Sequence, residues 1–241
     1  MRFLLYNIRY GTGSARPLYP WSGYLGRTGR NLAALTTFIA SLDPDVVGLI
    51  EVDLGSYRSH RCNQAELLAK SLGHFHTHRI KYPARQLTHY IPVINKQGNA
   101  FLTRDTITRE HFHYTRRGMK RLVIELELDD VVIFLVHLAL TFQARHHQLH
   151  DLFELVRATR KPCLVAGDFN PKWGGHELAL FSAAAGLRNA NPDGLPTYPS
   201  WAPRRQLDFI LHSPNVEIIR FERPLVQFSD HLPLYCDFAT R

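Results

Sequence analysis

The stretch CLVAGDFN, residues 163–170, runs five small or apolar residues directly into Asp168 and, two residues later, Asn170. A short apolar run closed by a glycine and polar residues reads as a strand buried on both faces. A carboxylate at the end of such a strand costs free energy unless it is paired or bound to something. The same pattern recurs along the chain. FLLY (3–6) ends in Asn7, VVGLI (46–50) in Glu51 and VIFLV (132–136) in His137. Asp208 lies inside QLDFIL (206–211), and Asp230 and His231 immediately precede LPLYCDF (232–238). One such residue is ordinarily a satisfied core polar group. A whole set of metal-ligand and acid–base types at strand ends points to a site gathered on one rim of a sheet.

Helical patterns separate these runs. Asn31 to Leu42 carries Leu32, Leu35, Ile39 and Leu42 at helical spacing and stops at Asp43-Pro44. Gln64 to Leu72 is closed by Gly73, Gln143 to Thr159 is the longest helix, and Glu177 to Ala185 is a short one. Strands are expected at Arg2 to Tyr6, Val46 to Ile50, 99–103, 121–128, 131–138, Pro162 to Ala166, 207–211, 216–221 and 233–238. Doubly buried strands with helices between them imply an α/β or α+β domain, sheet stacked on helix. No Gly/Ser-rich or Pro-rich linker and no repeat divides the chain, so one domain over 1–241 is expected.

Composition agrees with a globular enzyme or binding domain. The 241 residues are 45% hydrophobic, 21% charged and 11% aromatic, which excludes collagen-like, disulfide-scaffold and disordered classes. No run approaches the roughly 18 apolar residues that span a bilayer, so no stable membrane insertion is expected. The opening MRFLLYNIRYGTG has no small-residue cleavage site and reads as the first strand. Cys62, Cys163 and Cys236 cannot all pair within one chain and lack metal-type spacing, which makes a reducing cytoplasm the simplest setting. The balance of 29 basic against 21 acidic residues gives +8, favouring polyanionic partners. The basic residues gather at Arg116, Arg117, Lys120 and Arg121, at Arg157, Arg160 and Lys161, and at Arg204 and Arg205. A solvated surface explains such groups equally well.

The residue types at the strand ends fit one chemistry. Glu51, Asp168 and Asp230, with the amides Asn7 and Asn170, are hard oxygen ligands suited to Mg²⁺, with Mn²⁺ as substitute. No thiolate stands among them, which argues against zinc. His137 and His231 lie beside carboxylates, where they can donate to a phosphate oxygen or transfer protons. Asp208 and His231 can form a carboxylate–imidazole dyad; the alternative pairs Asp208 with Arg204 or Arg205.

Taken in order, Asn7 in LLYNIR, Glu51 in GLIEV, His137 in VHLAL, Gly167-Asp168-Phe169-Asn170, Asp208 in LDFIL and Ser229-Asp230-His231 resemble the endonuclease/exonuclease/phosphatase superfamily. The motifs run from residue 3 to residue 238. The resemblance implies a four-layer αββα sandwich, two packed and mainly antiparallel sheets flanked by helices, with the site at one end. It implies Glu51 as principal metal ligand, helped by Asn7 and supported by Asp230. Asp168 would orient or deprotonate the attacking water and Asn170 would position it. His231, oriented by Asp208, would donate to the phosphoryl oxygens, while His137 would contact the phosphate or assist the leaving group. Asn99, in GNAFLTR, resembles a position near the scissile phosphate.

Arg9 is a departure: apurinic endonucleases of the superfamily carry an acidic residue there, and the Asn-Ile-Arg triplet is more similar to the pancreatic-type deoxyribonuclease version. Arg9 is therefore expected on the substrate side. The expected protein is a monomeric, metal-dependent phosphodiesterase or nuclease, its partner a phosphate ester with DNA or RNA as a candidate. The alternative is a phosphoesterase for a lipid head group or other small ester, favoured by a chain too compact for large binding insertions. A non-catalytic module is disfavoured because Glu51, Asp168, Asp208 and His231 are all retained.

Three further sets have bland readings. His146, His147 and His150 fit a solvent-facing helix without the glutamate of a zinc-protease motif. His74, His76 and His78 alternate as on one strand face. Trp173 and Trp201 sit in loops, and Trp201 beside Arg204 and Arg205 is either a base-stacking platform or a loop anchor.

Overall fold

The computed structural model describes residues 1–14, 28–81, 93–118, 120–171 and 175–241. In chain order its elements begin β1 (Arg2–Asn7), α1 (Thr28–Ser41), β2 (Val46–Asp53), α2 (Gln64–Leu72), β3 (Phe75–Ile80), β4 (Gln97–Thr103), β5 (Arg109–Tyr114) and β6 (Leu122–Glu127). They continue β7 (Val132–His137), α3 (Phe142–Ala158), β8 (Cys163–Asp168), α4 (His176–Ala185), β9 (Arg188–Asn189), β10 (Asp208–His212), β11 (Val216–Glu222) and β12 (Leu234–Thr240). Trp173 lies outside the described residues.

The strands form two six-stranded sheets, ordered β11-β12-β1-β2-β4-β3 and β5-β6-β7-β8-β10-β9. Each sheet contains one parallel pair, β1 with β2 and β7 with β8, spanned by α1 and α3 respectively; its other pairs are antiparallel. The sequence expectation of a four-layer sandwich of mainly antiparallel sheets therefore holds.

Strict alternation along the strands builds the layers. Phe3 and Leu5 point into the inter-sheet core with Ile50, Ile133, Leu135, Leu164, Ala166 and Ile210. Leu4 and Tyr6 point the other way, against Leu32, Leu35 and Ile39 of α1 and Ala65 and Leu68 of α2. Phe134 and Val136 likewise face Leu149 and Leu152 of α3, with Phe181 of α4 in the same cluster. Every central strand is thus covered on both faces, which is why each reads as an unbroken apolar run. The helices stop where local chemistry says: α2 is capped at its start by the Asn63 side chain and at its end by Gly73 in the left-handed region.

Period-two geometry also decides what happens at the strand ends. Extending the inward series gives Asn7 after Phe3 and Leu5, His137 after Ile133 and Leu135, and Asp168 after Leu164 and Ala166; Asp208 precedes Ile210. His137 is registered against Asp168 and Asp168 against Asp208. These side chains therefore meet at one end of the inter-sheet layer. Gly167 makes the juxtaposition possible: its φ is +155°, and a Cβ there would lie 2.0 Å from the Val136 carbonyl oxygen.

Strands β3, β5 and β9 carry no apolar run and stand outside the strand set read from sequence. All three are sheet edges, where polar side chains are tolerated and pairing is one-sided. His76 and His78 do share a face of β3, with rings stacked 5.5 Å apart, whereas His74 precedes the strand. His146 and His150 are exposed on α3.

Candidate active site

Glu51 would face the helix layer if β2 alternated to its end. Instead the register with β4 shifts between Leu49 and Val52, and Glu51 takes a left-handed φ of 58°. Such a bulge re-aims a side chain, and a non-glycine residue held there stores about 1–3 kcal/mol of strain. The bulged amide is satisfied by Asn99, whose Oδ1 accepts from the Glu51 N–H at 3.3 Å. Asn99 is fully buried, and its Nδ2 has no hydrogen-bond partner among the described residues. Three other residues of this neighbourhood share the backbone strain, Arg9 (φ 46°), Tyr10 (φ 57°) and Asn170 (φ 49°).

The carboxylates and imidazoles are interlocked. His231 Nδ1 donates to Asp208 Oδ2 at 2.8 Å, and Thr197 Oγ1 donates to the same oxygen at 2.6 Å. Asp208 Oδ1 is buried with no partner among the described residues. Arg204 and Arg205 are exposed and do not pair with Asp208; the loop that carries them is fixed instead by Tyr198, whose N–H donates to the Arg205 carbonyl. Asn7 Nδ2 donates to Asp168 Oδ2 at 3.3 Å, and His137 Nε2 lies 3.3 Å from the same oxygen. Asn170 is clamped by its own N–H to Asp168 Oδ1 and by Nδ2 to the Leu138 carbonyl, each 3.1 Å. Arg9 Nε stands 3.4 Å from Asp230 Oδ2, and its N–H donates to Asn7 Oδ1 at 3.2 Å.

All ten residues singled out in the sequence thus fall in one neighbourhood at the sheet ends. Three that sequence reading did not assign join them. Lys81, just beyond β3, lies 3.9 Å from Glu51 Oε1 and 3.3 Å from His137 Nδ1; Lys120 lies 3.8 Å from Glu51 Oε1 and contacts His137 Nε2. Tyr10 lies beneath Lys81, with the Lys81 Nζ 5.3 Å from its ring centroid and Arg58 4.1 Å from the same centroid. A fourth residue, Tyr198, adds an aromatic contact, its ring 5.0 Å from that of His231; Trp201, the residue the sequence suggested, is half-buried in the same loop.

Burial and charge pull these groups in different directions. Burial disfavours charge on His231, but Asp208, Asp168 and Asp230 overcome it and raise its pKa from 6.5 to about 10. Burial pushes Asp168 above the ordinary carboxylate range, with Asp208 adding to the push and His231 opposing it. Burial also pushes Glu51 upward, yet Lys81, Lys120, His231 and Arg9 together hold it below its usual value. Lys81 falls from 10.5 to about 7, chiefly through desolvation, and His137 falls well below 6.5 for the same reason and because both lysines face it.

The oxygen donors suit a hard divalent cation: the Glu51 carboxylate makes no hydrogen bond among the described residues and is left for a metal, with the Asn7 amide and the Asp230 carboxylate on the same rim. Asp168, Asp208 and His231 also offer atoms within 4.8 Å of one another, with Asp208 Oδ1 an orphaned buried acceptor, but His231 as an imidazolium has no lone pair for a metal. This is oxygen-rich chemistry with no sulfur near it; all three cysteines are free and outside this group.

The model of the Endonuclease/Exonuclease/phosphatase family matches residues 4–231. The chain belongs to that family. Members of the Endonuclease/Exonuclease/phosphatase family are hydrolases of phosphoester bonds. Solved structures of the same fold include a family protein from Bacteroides thetaiotaomicron, 15% identical with a TM-score of 0.75, covering 99% of this chain and 97% of that one. The human Nocturnin catalytic domain with bound sulfate is 21% identical at TM-score 0.73, covering 100% and 93%. A mannosyl-6-phosphatase from Bacteroides thetaiotaomicron VPI-5482 is 14% identical at TM-score 0.72, covering 99% of both chains. These likenesses establish the fold. No curated protein matches the sequence.

The His231 environment predicts a titration. In metal-free protein, His231 followed by histidine NMR stays protonated through neutral pH and titrates near 10. Asp208→Asn removes the largest of the charges that raise it and leaves the burial that opposes it, so the midpoint falls. An unchanged midpoint in that variant contradicts the assignment of Asp208 as the controlling partner.

Proposed function

We propose that this family member is a divalent-metal-dependent phosphodiesterase, acting on nucleic acid by in-line attack of water on the phosphorus. The observation that carries the reading is the buried Asp208–His231 pair at 2.8 Å, set beside Asp168 on the same rim. Glu51 and Asn7 would hold the metal, with Asp230 in support. When bound, the metal supplies charge neutralisation at the phosphoryl oxygens.

The chain's own groups divide the remaining work. Asp168, pushed upward by burial, is a better proton acceptor than a solvated carboxylate and takes the proton of the attacking water. Asn170, locked by its two hydrogen bonds, fixes where that water sits. His231, held as imidazolium by Asp208, donates from its other ring nitrogen to the oxygens on which charge accumulates. His137, buried beside Asp168, contacts the phosphate or the leaving oxygen, Asn99 lines the scissile position, and Arg9 approaches the substrate from the side of Asp230. Net charge of +8 and the exposed Arg116, Arg117, Arg204 and Arg205 support a polyanionic substrate. A second reading, a small phosphate ester or lipid head group, is supported by the likeness in size and fold to the mannosyl-6-phosphatase. We place the protein in the cytoplasm as a single-domain monomer; among the described residues no helix is long and apolar enough to cross a membrane.

Two outcomes test this reading. Mg²⁺ or Mn²⁺ supports hydrolysis of a phosphodiester and EDTA abolishes it; Glu51→Gln keeps the size but removes the charge, so the metal concentration for half-maximal rate rises at least tenfold (roughly 1.4 kcal/mol or more of binding). Full activity in metal-free buffer contradicts the reading. Oligonucleotide affinity, measured by fluorescence anisotropy, falls steeply between about 50 and 200 mM salt as phosphate counterions are released. A flat dependence transfers the assignment to the small-ester reading.

A further inference from the structure

Lys81 is the least expected residue of the site. Its side chain is 1% exposed, yet it carries an ammonium group on the floor of a cluster that already contains Lys120 and His137. The hydrogen bonding of this cluster does not close. A protonated lysine amine has three donors, whereas a neutral imidazole accepts at one nitrogen only. Burial favours the neutral form of Lys81, and a bound anion would favour the protonated one. Here Lys81 faces His137 Nδ1 and Lys120 faces His137 Nε2, so the ring cannot accept from both. Tyr10 Oη, at 3.5 Å, is a long acceptor for Lys81, and Glu51 Oε1, at 3.8–3.9 Å from both lysines, neutralises charge without a direct hydrogen bond. Asn99 adds a buried Nδ2 without a partner among the described residues, next to the Glu51 backbone. Among the described residues, donors outnumber acceptors at this corner even with Asp168 Oδ2, 3.3 Å from His137 Nε2, counted among the latter.

We infer that Lys81 and Lys120 form an anion subsite, with His137 between them, that binds the oxygens of a phosphoryl dianion. The inference rests on the phosphoester-hydrolase part of the reading above and departs from its diester part: the preferred substrate carries a terminal phosphate, at the end of a nucleic acid or on a small ester. An anionic oxygen seated between the lysines supplies the acceptors that the imidazole cannot, in charge-assisted hydrogen bonds. Tyr10 holds Lys81 in place from below, with its hydroxyl donating to Gln97 Oε1 at 2.9 Å. Since Glu51 is the group that now balances both ammonium charges, it competes with the anion for them in the absence of metal.

That competition gives a test with opposite signs. Binding of inorganic phosphate to the metal-free full chain in EDTA is measured by isothermal titration calorimetry, with circular dichroism checking the fold of each variant. Lys120→Ala and the near-isosteric Lys81→Met each weaken phosphate binding about tenfold or more, the loss expected for a charged hydrogen bond. Glu51→Gln tightens it, because both ammonium groups are released. Steady-state rates on 4-nitrophenyl phosphate and bis(4-nitrophenyl) phosphate then show a larger loss of kcat/KM on the monoester than on the diester in both lysine variants. If the lysines serve only to neutralise Glu51, phosphate binding is unchanged in Lys120→Ala and in Lys81→Met, and the subsite is refuted. Should Lys81→Met fail to fold, Lys120→Ala and Glu51→Gln still decide the matter. Lysine-dependent phosphate binding without hydrolysis of either ester overturns the phosphoesterase reading and leaves the subsite standing. Hydrolysis with lysine-independent phosphate binding does the reverse.

Discussion

Four carboxylates, Glu51, Asp168, Asp208 and Asp230, are held together at one end of two packed sheets, and the rest of the site is arranged around what that costs. An ionised carboxylate withdrawn from water is unstable unless opposite charge or hydrogen bonds replace its hydration. Arg9 answers Asp230, His231 answers Asp208, and Lys81 with Lys120 answers Glu51. Asp168 is met by the neutral amides of Asn7 and Asn170 and by the charge of His231, which do not offset its burial, so that it is pushed above the ordinary carboxylate range, to about 6, and Asp230 is likewise pushed up. That imbalance is what makes it a proton acceptor.

The sandwich imposes the arrangement through geometry alone. Once Phe3, Leu5, Ile133, Leu135, Leu164 and Ala166 point into the inter-sheet core, residues two further along each strand must point the same way. The parallel pairs β1–β2 and β7–β8 bring strand C-termini to a common end, and the antiparallel β10 brings its N-terminal Asp208 there too. Glu51 breaks the alternation of β2 through a strained bulge sealed by Asn99. Strain tolerated at such a position is a mark of function over stability.

Much of this was legible in the sequence, and the reasons differ by residue. The inward series could be read because doubly buried strands appear as unbroken apolar runs, so the polar residue that ends each run stands out. The Asp208–His231 pair was legible as one of two partnerships for Asp208, and the choice between His231 and the arginines at 204 and 205 needed the three-dimensional placement of the loop. Lys81 left no such signal: β3 is an edge strand with a polar pattern. The reading that put His76 and His78 on one face of it implies that Thr77, Arg79 and Lys81 share the other; Thr77 and Lys81 are buried there, while Arg79 between them is exposed. Lys120 was visible only as part of a basic group. Long-range pairings of this kind, Lys81 with His137 across 56 residues, are set by topology and not by local pattern.

The central claim is that Asp208 and His231 act as one unit on the phosphoryl group. Its most direct measurement is a double-mutant cycle on kcat/KM for one phosphodiester, using wild type, Asp208→Asn, His231→Ala and the pair, with folding verified for each. Loss of a positioned donor costs about 10²–10⁴ in rate. The account predicts that each single variant loses an amount in this range and that the double variant is scarcely worse than either, because residues acting as a unit are not additive. Fully additive losses would mean that the two residues work independently, contradicting the account.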